Sequence, residues 1–325
     1  MTRRNADMLK KKPIIMDVDT GVDDTLALLL VAAADSLELK AITTVFGNSS
    51  VQDTTKNTLK ICELLGLDVP VAAGSFRPLI DPPIDYSVAP MVDIHGRDGL
   101  GNVGNRLPEP TKTVENMPAV DLMAKAIRES EEKVTIVATA PLTNIATFIM
   151  AYPDLREKVE CIALMGGAAF GGNMGFSVEA NIGHDPDAAK VVFMSDIPKY
   201  MFSLDATMGC FITDDERQAI ADNGGKTGEW LKDCMQQYSD IYKALGGLPG
   251  AVLHDSLPVA WLLDESVVEF KHCYVDVELK GVKTRGCTVT DLNNYTGKPA
   301  NTYVSMKADR EKLINMHIEA AKKFN

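Results

Sequence analysis

The segment that decides the fold is residues 14–30, which read Ile-Ile-Met-Asp-Val-Asp-Thr-Gly-Val-Asp-Asp-Thr-Leu-Ala-Leu-Leu-Leu. The apolar run from Pro13 to Met16 predicts a short buried strand that stops at Asp17. The run from Thr25 to Ala34 predicts a helix that is too apolar to face water. A strand, an acidic turn and a helix in this order indicate the first β-α unit of an α/β domain.

Four carboxylates crowd the turn, and they belong to Asp17, Asp19, Asp23 and Asp24. Side chains alternate along a strand, so Asp17 and Asp19 leave it on the same side. Gly21 permits the tight turn that brings the other two acids back beside them. Ionised groups this close repel one another unless a cation offsets their charge. Since oxygen ligands favour calcium or magnesium over zinc, the pattern predicts a site for a hard divalent cation.

Other acidic motifs fit this turn less well. Acids that complement a helix dipole explain the last two carboxylates but not the two at the end of an apolar strand. An EF-hand loop counted from Asp17 needs glycine and glutamate where the chain has Val22 and Leu28. A phosphatase with Asp17 as nucleophile stays open as an alternative, although Gly21 stands where that motif has threonine or valine.

Composition bounds the class of protein. The 325 residues are enough for one large α/β domain, and we expect residues 1–12 to be a flexible extension and residues 13–325 a single domain. The six cysteines lack the paired spacing of metal ligands, which predicts reduced core residues in a cytoplasmic protein. A net charge of −12 disfavours nucleic acid or an anionic membrane as partner. No apolar run is long enough to predict a transmembrane helix.

Strand and helix patterns alternate along the rest of the chain. Further strands are predicted at 37–46, 69–73, 133–138, 159–165, 199–204 and 302–306. Further helices are predicted at 51–66, 119–131, 185–193, 213–245 with a break near Gly224, and 309–323. An antiparallel pair is predicted within 267–286, turning near Lys280. The pattern predicts an open, mainly parallel twisted sheet with helices on both faces and a small antiparallel addition near the C-terminus.

Ligands in such sheets bind at the carboxyl ends of the strands. Polar clusters fall there, at Asp17 to Asp24, at Asn48, at Thr139 and between Asn173 and Asn181. The long segment 74–118 has little periodic pattern and contains His95. A loop of this length in a compact domain is usually functional or mobile.

At this point the chain resembles the nucleoside hydrolase family, of the inosine–uridine type of nucleoside N-ribohydrolase. The resemblance spans about residues 13–323. It is carried, in order, by Asp17-x-Asp19-x-Gly21-x-Asp23-Asp24, Gly47-Asn48, His95-Gly96, Thr139-x-Pro141-Leu142-Thr143-Asn144, Met165-Gly166-Gly167, Glu179-x-Asn181, Asp185-Pro186, His254-Asp255 and Thr284-Arg285-Gly286.

The resemblance implies calcium-dependent hydrolysis of the N-glycosidic bond of a ribonucleoside, giving free base and ribose. The implied calcium ligands are Asp19, Asp24, Asp255 and the backbone carbonyl of Thr139, with Asp17 supporting them from behind. The implied ribose-binding residues are Asp23, Asn48, Asn173, Glu179 and Asn181, with Met165 beneath the ring. The implied oligomeric state is a homodimer or homotetramer.

The same resemblance assigns roles in the reaction. Asp19 would take the proton of the attacking water, and His254 would act as the acid that assists the leaving base. His95, Tyr238 and Tyr242 would line the base side of the pocket. Purine-specific relatives use tryptophan stacking, and neither Trp230 nor Trp261 stands at an obvious matching position.

Some positions depart from the family pattern. They are Val18, Thr20, Ala140, Ser256 and Pro258. None of these changes removes an implied metal ligand, but they leave the preferred base open. They also leave open a relative that binds a nucleoside or calcium without turnover.

Overall fold

The computed structural model describes residues 10–87 and 94–325. The strands are β1 (Lys12–Val18), β2 (Leu37–Thr44), β3 (Val71–Ala73), β4 (Val134–Ala138), β5 (Val159–Met165), β6 (Lys199–Phe202), β7 (Phe211–Thr213), β8 (Gly250–Val252), β9 (Val268–Val277), β10 (Thr288–Asp291) and β11 (Thr302–Ala308). The helices are α1 (Val22–Ala33), α2 (Val51–Leu64), α3 (Ala119–Glu129), α4 (Thr143–Ala151), α5 (Ala180–His184), α6 (Pro186–Phe193), α7 (Leu204–Thr207), α8 (Asp214–Asn223), α9 (Gly225–Gly246), α10 (Ser256–Leu263) and α11 (Arg310–Ala321).

Nine strands form one sheet in the order β10-β9-β11-β6-β5-β4-β1-β2-β3. The seven strands from β11 to β3 pair in parallel, whereas β9 runs antiparallel to both β10 and β11. A separate antiparallel pair joins β7 to β8. The predicted fold class, a mainly parallel sheet with a small antiparallel addition, is confirmed.

The first strand is apolar because both faces of the sheet are covered. Ile14 and Met16 pack into the core that α1, α2 and α9 to α11 cover, while Ile15 packs into the core under α3, α4 and α6. Strand order reverses at β1, which lies between β2 and β4. Crevices at such reversal points are where open α/β sheets bind ligands. The acidic turn after β1 is therefore at the expected binding end of the sheet.

The start of the chain differs from the prediction in its bounds. β1 continues through Asp17 to Val18, because the Asp17 carboxylate is buried among donors from neighbouring elements. α1 begins at Val22 instead of Thr25, because the Gly21 N–H donates to Asp24 Oδ2 and caps the helix. Of the predicted extension, residues 1–9 lie outside the described ranges, and Lys12 is already in β1.

The predicted antiparallel pair within 267–286 is wrong in its second strand. β9 pairs with β10, which lies beyond Gly286, and Val277 stands opposite Thr288. The segment between them closes as a turn, since the Gly286 N–H donates to the Glu278 carbonyl and the Glu278 N–H donates to that of Cys287. Arg285 ties this turn to two distant carboxylates, a tertiary contact that local periodicity does not reveal.

Within the described residues, no helix has both the length and the apolar character that crossing a membrane requires.

Gly101 fixes the segment that carries His95 against α9. Its φ is +65°, and a Cβ there would lie 2.1 Å from the Cys234 carbonyl oxygen. Gly101→Ala should therefore cost about 3 kcal/mol of unfolding free energy, from left-handed strain plus displaced backbone. Gly66→Ala is the matched control, since its φ is +66° but no atom of residues 10–87 or 94–325 lies within 4 Å of the added carbon. It should cost only about 1 kcal/mol. Equal losses in urea unfolding would refute the close approach.

Candidate active site

A cleft opens at the carboxyl ends of β1, β2, β4 and β5. Its empty space, counted out to the open mouth, is about 490 Å³. The residues that line it are Asp23, Asn48, Ile94, His95, Thr139, Met165, Asn173, Glu179, Ala180, Asn181, Tyr238, Tyr242, His254 and Asp255. Of the fifteen site residues predicted from the sequence, twelve are in this lining, and Asp17, Asp19 and Asp24 lie buried behind it.

Three carboxylates form the floor of the cleft. Asp23, Asp24 and Asp255 each offer an oxygen, and these oxygens all lie within 4.8 Å of one another. Burial raises the pKa of Asp23 and of Asp24 to about 6, and it raises the pKa of Asp255 well above its usual value, with repulsion from Asp23 adding to the shift. Asp23 Oδ1 is buried and has no hydrogen-bond partner among the described residues. Close, buried acids with an unused oxygen fit a hard cation.

Asp24 is held in place by its surroundings. Its Oδ2 accepts from the Gly21 N–H at 2.9 Å, and its Oδ1 accepts from Thr139 Oγ1 at 2.7 Å. The first bond caps α1 and the second joins α1 to the end of β4. Thr139 therefore stands directly beside the acidic floor. Its carbonyl accepts from Asn181 Nδ2 at 3.1 Å, and a carbonyl oxygen has a second lone pair for another ligand.

Asp19 lies next to this floor at the end of β1. Its Oδ2 accepts from the Asn48 N–H at 2.7 Å and its Oδ1 from Asn48 Nδ2 at 3.2 Å. The turn after β2 must come very close, since a Cβ on Gly47 would lie 2.0 Å from Asp19 Oδ2. Burial, with repulsion from Asp24, raises the pKa of Asp19 well above its usual value. Asp19 is thus an oriented and unusually basic carboxylate.

Asp17, on β1, is fully buried behind the lining of the cleft. Its Oδ1 accepts from Thr43 Oγ1 at 2.6 Å and from Asn144 Nδ2 at 2.8 Å. Burial raises the pKa of Asp17 to about 7. Because the carboxylate is inaccessible and outside the lining of the cleft, it is not placed to attack a phosphate. The geometry therefore disfavours the phosphatase alternative.

Side-chain amides and the Glu179 carboxylate line one flank of the cleft. Asn181 Nδ2 donates to the carbonyls of Thr139 and Met165, which leaves its Oδ1 for a ligand. Glu179 caps α5, its Oε2 accepting from the N–H groups of Gly167 and Ile182. Burial raises the pKa of Glu179.

Asn173 closes this flank at the exposed rim, where its Oδ1 accepts from the Ala180 N–H and its Nδ2 is left to donate. The flank thus offers oxygen and nitrogen atoms suited to hydroxyl groups.

His95 lies on the opposite flank with one tautomer fixed. The Val22 N–H donates to His95 Nδ1 at 3.2 Å, so this nitrogen is unprotonated and Nε2 carries the proton. Burial lowers the pKa of His95 to about 4, which keeps the ring neutral. The ring lies 5.0 Å from that of Tyr238, whose hydroxyl donates to Asp23 Oδ2 at 3.2 Å.

Tyr242 and His254 complete that flank. Tyr242 Oη lies 2.8 Å from His254 Nε2, and His254 Nδ1 lies 2.8 Å from Thr207 Oγ1. Tyr238 and Tyr242 are one turn apart on α9, with their rings edge to face at 5.0 Å. Burial lowers the pKa of His254 to about 3, so its ring is neutral at physiological pH. The flank is aromatic and rich in N–H and O–H groups.

Sequence reasoning did not single out four residues of this region. Ile94 and Ala180 line the cleft, Tyr86 Oη accepts from the Gly47 N–H at 3.1 Å, and Thr207 contacts His254. None of them stands in a spacing pattern that marks a site. They become visible only when distant segments are folded together.

Both tryptophans lie away from the cleft. Trp230 is buried on α9 and its Nε1 donates to the Val103 carbonyl at 3.2 Å. Trp261 packs on Tyr200 and Phe202. Stacking of a base on tryptophan is therefore not available from the described part of the chain.

Comparison with known proteins agrees with this geometry. A family model described as inosine-uridine preferring nucleoside hydrolase matches residues 14–315. The pyrimidine-specific ribonucleoside hydrolase RihA of Escherichia coli O7:K1 (strain IAI39 / ExPEC) is 38% identical over 312 residues, covering 95% of this chain and 98% of the relative. RihA of Klebsiella pneumoniae (strain 342) is 37% identical over 306 residues, covering 94% of this chain and 96% of the relative.

A solved structure has the same fold. The purine-preferring ribonucleoside hydrolase from Gardnerella vaginalis superposes with a TM-score of 0.89 at 32% identity, covering 96% of this chain and 99% of that chain. The family match spans nearly the whole sequence, and the acidic cleft lies at the expected end of the sheet. The chain therefore belongs to the inosine-uridine preferring nucleoside hydrolase family and is a nucleoside N-ribohydrolase, an enzyme that acts on N-glycosyl bonds.

Proposed function

We propose that the protein hydrolyses pyrimidine ribonucleosides to free base and ribose in a calcium-dependent reaction. The observation that carries this proposal is the division of one cleft into three chemical zones. Carboxylates form its floor, amides and Glu179 form one flank, and His95, Tyr238 and Tyr242 form the other. A sugar, a cation and a base need these three environments.

The calcium ion would be held by the carboxylates of Asp19, Asp24 and Asp255 and by the Thr139 carbonyl. All four donors are oxygen atoms, as calcium prefers. Asp17, tied to Thr43 and Asn144, would support the set from behind. When bound, the cation supplies positive charge that lowers the pKa of a neighbouring water and orients the ribose hydroxyls.

The ribose would lie across the floor, against the amide flank. The unpartnered Asp23 Oδ1 is available to accept from a ribose hydroxyl. Asn48, Asn173, Glu179 and Asn181 bind the remaining hydroxyls, and Met165 lies beneath the ring. The surrounding carboxylates also favour the positive charge that develops on the sugar as the bond to the base breaks.

Asp19 would act as the general base. Its two hydrogen bonds to Asn48 hold the carboxylate in one orientation. It takes a proton from the water that attacks C1′ and later returns it to solvent.

The leaving base would be stabilised from the aromatic flank. His95 presents Nε2–H, and Tyr242 presents a hydroxyl that is hydrogen-bonded to His254. Since His254 is neutral, it assists through its N–H, by way of Tyr242, and the base departs with its negative charge spread over these donors. The base gains its proton as it leaves the cleft.

A preference for pyrimidines is supported by two observations. The curated relatives that match over 94–95% of this chain are named pyrimidine-specific. The two tryptophans are both engaged in the core, so neither is placed to stack on a purine.

A nucleoside panel tests this proposal. Uridine, cytidine, inosine and adenosine are each incubated with the protein, with calcium or with a chelator, and free base and ribose are measured. Uridine and cytidine should be turned over fastest, and the chelator should abolish turnover until calcium is restored. Faster turnover of inosine would overturn the base preference, and full activity in chelator would overturn the calcium requirement.

A further inference from the structure

We propose that Thr207 is a positioning residue that sets the direction of the hydrogen-bond chain through His254 to Tyr242. By donating to His254 Nδ1, Thr207 turns the Tyr242 hydroxyl into a donor toward the departing base. This inference rests on the proposed function of that flank of the cleft.

The hydrogen-bond chain consists of three side chains in a row. Thr207 Oγ1 lies 2.8 Å from His254 Nδ1, and His254 Nε2 lies 2.8 Å from Tyr242 Oη. Thr207 is fully buried and is outside the lining of the cleft, whereas Tyr242 and His254 are part of it. Thr207 thus acts on the substrate only through the imidazole.

The hydrogen bonds of this chain can be directed in either of two ways. In the first, Thr207 donates to Nδ1, Nε2–H donates to Tyr242 Oη, and the Tyr242 proton points away from His254. In the second, Tyr242 donates to Nε2 and Nδ1–H donates to Thr207. A neutral imidazole has a single N–H, so the bond at one nitrogen fixes the role of the other.

Accounting for buried donors selects the first direction. Within the described residues, the Thr207 hydroxyl has no side-chain or backbone partner other than His254. If Nδ1–H donated to it, the hydroxyl proton itself would be buried without an acceptor, at a cost of about 1–3 kcal/mol. When Thr207 donates instead, the protons of Thr207 Oγ1 and His254 Nε2 each have an acceptor, namely His254 Nδ1 and Tyr242 Oη.

The direction matters for the reaction. In the first direction the Tyr242 hydroxyl offers its proton to the negative charge that develops on the departing base. In the second it offers a lone pair, which repels that charge. Aligned hydrogen bonds also polarise one another, so the donor at the end of the chain is strengthened by those behind it.

The fold holds Thr207 firmly. It ends α7, where its N–H donates to the Ser203 carbonyl and its own carbonyl accepts from the Cys210 N–H. Ser203 is in turn bonded to Ser305 on β11. A change confined to the Thr207 hydroxyl should therefore alter the chain without moving the helix.

The test compares two substrates that differ in how strongly departure of the leaving group depends on a hydrogen-bond donor. Uridine releases a poor leaving base, whereas para-nitrophenyl riboside releases a phenolate that departs without a donor. Thr207→Val should lower kcat for uridine by about 10- to 100-fold, the equivalent of one lost buried hydrogen bond. KM for uridine and kcat for the nitrophenyl riboside should each change by less than about threefold. Thr207→Ser should restore uridine turnover.

Controls separate this role from damage to the fold. Thr147→Val removes a half-buried hydroxyl on α4 that donates to the Thr143 carbonyl of the same helix, and it should leave both rates unchanged. In a Tyr242→Phe background, Thr207→Val should have almost no further effect on uridine, because the chain is already broken.

Equal losses on both substrates, or unchanged uridine turnover in Thr207→Val, would overturn the proposal. Wild-type activity on uridine tests the proposed base preference separately. If the wild-type protein releases no uracil, the same comparison made with inosine decides the role of Thr207.

Discussion

Asp19→Ala should lower kcat/KM for uridine by about 10³-fold or more, because it removes both the proposed general base and a calcium ligand. The effect is large because Asp19 serves both roles and Asn48 orients both of its carboxylate oxygens. The measurement is steady-state release of uracil at saturating calcium. A loss of less than about tenfold would remove Asp19 from the role of base.

Asp19→Asn separates loss of the proton acceptor from loss of side-chain volume, since asparagine keeps the size of the side chain but cannot take a proton. It should be nearly as inactive as Asp19→Ala. Asp121→Ala is the control and should leave turnover unchanged, because this carboxylate on α3 accepts from Tyr152 at the surface and is not in the lining of the cleft.

His254→Ala should lower kcat for uridine by about 10²-fold or more while lowering turnover of para-nitrophenyl riboside by less than about tenfold. The physical reason is that His254 supports Tyr242 and so stabilises only a leaving group that needs a donor. Uridine and the nitrophenyl riboside should be assayed in parallel.

The control for that variant is His272→Ala, an exposed histidine that stacks on Tyr303 far from the cleft. It should keep both rates. An equal fall on the two substrates in His254→Ala would show a structural role, and no fall on uridine would exclude His254 from assisting the base.

Much of the fold was predictable because its signals are local. The apolar run before Asp17 and the one after Asp24 each identify an element that is buried on both faces, and the structure confirms β1 and α1 with bounds shifted by a few residues. The break predicted near Gly224 is also confirmed, since it separates α8 from α9.

Other parts depended on contacts between distant segments. The strand partner of β9 was placed too early, because the turn after Val277 is held by Arg285 bonding to Asp81 and Asp187. The pair β7–β8 was not predicted, since its two strands of three residues lie far apart in the sequence and pair only in the folded chain.

The candidate site also combines residues that the sequence predicts with contacts that only the fold reveals. The family resemblance predicted twelve of the residues that line the cleft, but which acids lie close enough to share a cation depends on the fold. Asp23, expected to bind ribose, has an oxygen within 4.8 Å of those of Asp24 and Asp255. Thr207 was not predicted to belong to the site, because the sequence around it does not indicate a contact with His254.

The central claim is that acids near the start of the chain, joined by Asp255, hold one cation. Calorimetric titration of the chelator-treated protein with calcium tests it most directly. The account predicts one ion per chain, no detectable binding in Asp24→Asn, and unchanged binding in Tyr242→Phe. Since burial raises the pKa of Asp24, a proposed ligand, to about 6, protons should compete with calcium and the affinity should fall as the pH drops below that value. Absence of calcium binding by the wild-type protein, or equal binding by Asp24→Asn, would contradict the account.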